Sequence, residues 1–61
     1  MFLSNVIPSP TGWIPRVSRY DEGELTWRWE GRAVPNLRSA RRIALLKERE
    51  VSATWQTERA A

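Results

Sequence analysis

Cysteine and histidine are both absent from the 61 residues of the chain. Without them there is no disulfide staple, no thiolate or imidazole to act as nucleophile or base, and no ligand set of the usual zinc or transition-metal kind. Glycine is scarce, at three residues, and no Gly-rich phosphate loop occurs. Long apolar runs are missing as well. The opening MFLSNVIPSP has no basic segment before its short apolar stretch and is broken by prolines, so neither a signal peptide nor a membrane span is expected. The lack of cysteine suits a reducing compartment, and a cytoplasmic protein with no membrane partner is the expectation. Ser4, Ser9, Ser18, Ser39 and Ser52 have no histidine to activate them, and Asp21, Glu22 and Glu24 belong to a turn. No catalytic constellation exists, so no enzymatic activity, no cofactor and no metal are expected.

One further absence is local. From Gly31 to Lys47 there is no acidic residue, while Arg32, Arg38, Arg41, Arg42 and Lys47 add five positive charges. In residues 1 to 35, by contrast, four arginines are balanced by four acids, so the formal net charge of +3 arises from the C-terminal part. A segment of that kind suits a polyanion or an acidic protein surface.

The chain is long enough for one domain, and a domain of this size buries only about 60% of the surface its unfolded form exposes. The four tryptophans, with Tyr20 and Phe2, therefore supply much of the available apolar area. Met1 to Thr11, with Pro8 and Pro10, is expected to be an irregular arm. Trp13 to Tyr20 and Leu25 to Trp29 are rich in aromatic and β-branched residues and flank Asp21-Glu22-Gly23, the signature of a β-hairpin. Arg32 to Val34 is a candidate third strand, ended by Pro35. From Asn36, a candidate N-cap, helix formers place Leu37, Ala40, Ile43, Ala44, Val51 and Trp55 along one side. The expected fold class is α+β: a small β-hairpin or three-stranded antiparallel sheet packed against one C-terminal helix. The domain is expected over residues 12 to 55, with 56 to 61 as a frayed tail.

A three-residue hairpin loop, with Gly23 in its left-handed position, pairs Tyr20 with Glu24. That register puts Pro15, Val17, Arg19, Leu25, Trp27 and Trp29 on one face, packed under the helix, which makes Trp27 and Trp29 core. The opposite face then sets Arg16 against Arg28 and Ser18 against Thr26. Facing like charges disfavour the pairing unless an anion relieves them. Arg16, Ser18, Thr26 and Arg28, with Arg32 alongside, would form a donor-rich surface able to enter a major groove, where arginine forks match guanine edges and phosphates. The basic start of the helix, Arg38, Arg41 and Arg42, would add contacts.

The layout Gly12-Trp13, Arg16-Val17, Gly23 and Trp27-Arg28-Trp29, followed by a helix carrying Ala40, resembles the three-stranded-sheet-plus-helix DNA-binding domains of phage-type integrases and plant ethylene-response factors. The resemblance covers residues 12 to 47. It implies a sheet lying in the major groove with the helix behind it, and Arg16, Arg28 and Arg32 as base or phosphate contacts, with Arg19 added if local twist exposes it. The expected function is that of a small non-enzymatic DNA-binding protein, a phage or mobile-element regulator or recombination accessory. The alternative is an inhibitor or adaptor that docks an acidic protein through Trp13, Tyr20 or Trp55 with an arginine rim. The helix also allows a homodimer, seeded by Leu45 with Trp55.

Overall fold

A computed structural model describes residues 1–60, with side chains over residues 1–56. Three strands, β1 (Phe2–Ser9), β2 (Gly12–Asp21) and β3 (Glu24–Glu30), precede one helix, α1 (Leu37–Ala60). The strands form an antiparallel sheet in the order β1-β2-β3, and α1 lies across β1 and β2. The fold is thus the expected α+β arrangement of a three-stranded sheet and one C-terminal helix.

The third strand comes from the other end of the chain. Residues 1 to 11 are not an irregular arm, because Phe2, Ser4 and Val6 alternate with Leu3, Asn5 and Ile7 and pair with β2 from Phe2↔Arg19 to Ser9↔Gly12. Pro8 is tolerated because β1 is an edge strand, where an absent N–H need not break a ladder. Pro10 and Thr11 form the turn, across which the Ser9 hydroxyl donates to the Gly12 carbonyl at 3.1 Å. The domain therefore begins at residue 2 rather than 12. Arg32 to Val34 is correspondingly not a strand: it makes one isolated bridge, Trp13 with Val34, through N–H···O bonds of 2.7 and 2.8 Å.

The hairpin register also departs from the expected one. The loop is the two-residue Glu22-Gly23, with both φ angles positive at 53° and 82°, so that Asp21 pairs with Glu24. The extra residue sits instead inside β3, where Thr26 bulges between the Tyr20↔Leu25 and Arg19↔Trp27 pairs. Beyond the bulge Val17 faces Trp29, Ser18 faces Arg28 and Arg16 faces Glu30. Pro15, Val17, Arg19, Trp27 and Trp29 keep the helix-side face, as expected. Leu25 pairs with Tyr20 and so falls on the outer face.

Helix α1 starts where Asn36 caps it. The Asn36 Oδ1 accepts from the Arg38 N–H at 2.8 Å and the Ser39 N–H at 3.4 Å, two of the donors an α-helix leaves free at its start. The helix continues to Ala60, so the segment expected to fray from residue 56 is helical that far; Ala61 lies outside the described residues. Val17, Pro15, Ala40 and Ala44 are fully buried. Alanines at i and i+4 on one helix face let the helix axis come close to the central strand, because no long side chain intervenes. Ile43, expected on that stripe, is instead turned to the flank and 36% exposed.

Gly12 locks the loop between β3 and α1 to the sheet. Its φ is +142°, and a Cβ there would lie 2.2 Å from the Val34 carbonyl oxygen. Gly23 also has a positive φ, but nothing lies within 4 Å of its Cβ direction. Gly23→Ala therefore meets backbone strain alone, about 1 kcal/mol, whereas Gly12→Ala adds a backbone collision and costs roughly 3 kcal/mol or more. Urea midpoints of the two variants check the order, and equal losses would show that the Val34 contact is not made.

Candidate nucleic-acid interface

The eight residues singled out from the sequence do not form one surface. Arg16 lies on the outer face of the sheet, but its Nη2 and Nε reach the Glu30 Oε2 at 2.8 and 3.1 Å. The expected clash between Arg16 and Arg28 does not arise, since the bulge brings an acid opposite Arg16. Ser18, between Leu3 and Arg28 on the central strand, is buried and offers no donor to a ligand. Thr26 is drawn to the other side, where its hydroxyl donates to the Asp21 Oδ2 at 2.8 Å. Arg28 and Arg32 are exposed. Leu3, Ile7, Ile14, Tyr20 and Leu25 share the outer face, with Leu3 49% and Leu25 47% exposed. Asn5, Arg16, Ser18, Arg28 and Glu30 share that face as well, so it is mixed in character, with Arg28 its one arginine outside an ion pair among the described residues.

Arg19 is largely enclosed. It projects from β2 toward α1, its guanidinium 3.9 Å from the Trp55 ring centroid and 5.8 Å from that of Phe2, with the side chain only 13% exposed. Asp21 forms an ion pair with it, and Thr26 links to both. Phe2 in turn meets Trp27 and Trp55 edge-on, with centroids 6.3 and 6.5 Å away. This cluster closes the far end of the helix–sheet seam by cation–π and edge-to-face contacts. Trp55 belongs to this cluster, although 37% exposed, and does not line the arginine surface that holds Leu45. A parallel contact ties the middle of the helix to β3, where the Lys47 ammonium stands 5.2 Å from the Trp29 ring centroid.

The remaining arginines gather on the outward side of α1. Arg38, Arg42 and Arg49, with Arg41 at the margin, surround Leu45 and Leu46 along one shallow surface. Their spacing explains it: positions 38, 42, 45 and 49 recur every three or four residues, while the buried Ala40 and Ala44 hold the opposite side of the helix against the sheet. The ion pairs among the described residues are Arg16–Glu30, Arg19–Asp21 and Lys47–Glu50, and none involves these four arginines. The first turn contains no acid. Arg38 thus stands at the positive end of the helix dipole, an arrangement that disfavours the isolated helix by a few tenths of a kcal/mol and favours an incoming anion. Arg49 belongs to this surface although it lies outside the acid-free stretch; helical spacing is the signal that finds it.

Among the described residues no group of acids is placed to hold a metal ion, and no helix is long and apolar enough to cross a membrane. No protein-family model, curated protein or solved structure matches the chain. The resemblance to sheet-reading DNA-binding domains rests on the residues quoted for it.

Arg19→Ala is expected to lower stability by about 1–3 kcal/mol, through loss of the ring contacts and of stem packing, and to leave binding to nucleic acid unchanged. Urea denaturation and a DNA titration of the same variant check both halves; weakened binding at unaltered stability would place Arg19 in the interface.

Proposed function

We propose that this chain is a small non-enzymatic DNA-binding protein whose principal phosphate contacts are Arg38, Arg41, Arg42 and Arg49. The observation that carries the reading is that these four arginines share the outward side of one helix with no acidic partner among the described residues. From Arg38 to Arg49 the helix rises roughly 16 Å, about 1.5 Å per residue, enough to follow several phosphates along one groove edge. Arginine suits that task because its planar fork binds phosphate oxygens in pairs and keeps its charge at any physiological pH. The contacts so formed position the protein on a duplex without reading its sequence, which fits an accessory or regulatory role for a phage or mobile element better than a site-selective one.

A second reading is favoured by one observation. Leu45 and Leu46, 52% and 56% exposed, lie among the same arginines and would match an acidic protein surface with an apolar centre.

The two differ in salt dependence. Fluorescence anisotropy of a labelled duplex, titrated over a range of salt concentrations, is expected to give a slope of log K against log salt near −3.6, or about 0.9 for each of four phosphates. Arg38→Ala with Arg42→Ala should reduce that slope by roughly two units without loss of stability, and Arg16→Ala should leave it in place. Failure to bind duplex at low salt would refute the DNA reading and leave the acidic-protein one.

A further inference from the structure

Strand β3 forms one edge of the sheet, and α1 does not cover it. The backbone groups it leaves free can be identified. The Gly31 N–H donates to the Pro15 carbonyl at 2.9 Å, continuing the β2–β3 ladder by one residue. Hydrogen bonding alternates along an antiparallel pair, so Trp29 and Trp27 also turn their N–H and C=O toward β2. Arg28 and Glu30 turn theirs outward, to the open edge.

We propose that β3 pairs antiparallel with β3 of a second copy of this chain, about a two-fold axis normal to the sheet at Trp29. That register sets Arg28 of each copy opposite Glu30 of the other, and these are the residues whose backbone groups face the edge. Arg28 has no ion-pair partner within its own chain among the described residues. Glu30 holds Arg16 through Oε2 alone and so has Oε1 free to accept a second arginine. The other two-fold registers are less favourable. An axis at Arg28 or at Glu30 brings that residue against its own copy, a like-charge pair. An axis at Trp27 sets the bulged Thr26 opposite Arg28, and the bulge breaks the alternation of faces that pairing needs.

The side chains on the helix side agree with the same axis. Trp29 meets its own copy, and Trp27 falls opposite Gly31, over which the Trp29 ring of the same copy lies, 2.8 Å from where a Cβ would stand, so that Trp27 of one copy comes against Trp29 of the other. Trp27 is 36% exposed in a single copy, beside Val51, Thr54 and Trp55 of α1. The six-stranded sheet would run β1-β2-β3-β3-β2-β1, with both helices on one side because a two-fold normal to the sheet preserves its faces. The tryptophans of the two copies then lie between the helices, and this added core suits a chain whose largest fully buried side chains among the described residues are Val17 and Pro15. The pairing stands whether or not the helix arginines bind nucleic acid.

Light scattering at millimolar concentration should give twice the 7.1 kDa of one chain. Arg28→Glu and Glu30→Arg should each give the single-chain mass, with circular dichroism confirming that both variants are folded. Mixed in equal amounts, the two should recover the doubled mass, since one supplies acids at both positions and the other bases at both. A wild-type protein that stays at 7.1 kDa, single variants that remain doubled, or a mixture that fails to reassociate would each overturn the proposal.

Discussion

The close approach of α1 to the central strand is the contact on which the rest of the molecule depends. Ala40 and Ala44 carry too little side chain to hold the helix away, and Val17 and Pro15 beneath are sealed completely. Two consequences follow from geometry. The helix side opposite the alanines must face outward, and it is there that Arg38, Arg42, Leu45, Leu46 and Arg49 are found. The sheet, being covered on one face only, must expose the other.

A helix seated over β1 and β2 leaves β3 as an overhang. The aromatic residues answer that imbalance unevenly. Trp29 reaches back under Lys47, and Trp27 leans on Phe2, but both remain partly open to solvent. Arg19 fills the space at the end of the seam, a place that more often takes an apolar side chain. Its long stem packs while its guanidinium stacks on Trp55 and meets Asp21, so a nearly buried charge is compensated on each side. Arg19 of the inner layer is thus held in structural contacts, and the arginines proposed to serve a ligand lie on the opposite side of the helix.

Much of this was legible in residue patterns. Alternation identified β2 and β3 and put Pro15, Val17, Trp27 and Trp29 on one face; Asn36 marked the helix start; spacing along the helix set Arg38, Arg41, Arg42 and Arg49 together. The N-terminal strand was hidden because Pro8 and Pro10 mark a loop by local rules, whereas an edge strand and its turn accept both. The register was hidden for a different reason. The extra residue of the hairpin lies at Thr26, whose hydroxyl bonds to Asp21 and Arg19 across β2 and β3, and such side-chain contacts do not show in the alternation of residue types. That shift of one residue separates a facing pair of arginines from the Arg16–Glu30 ion pair, and so changes what the outer face can bind.

The partition of arginines between a structural layer and an outward helix face is the central claim, and backbone amide chemical shifts followed by NMR during addition of duplex DNA test it most directly. The account predicts perturbations concentrated on the outward positions between Arg38 and Arg49, with β2 and β3 little changed. Perturbations centred on Arg16, Ser18 and Arg28, with the helix unaffected, would contradict it and return the interface to the sheet.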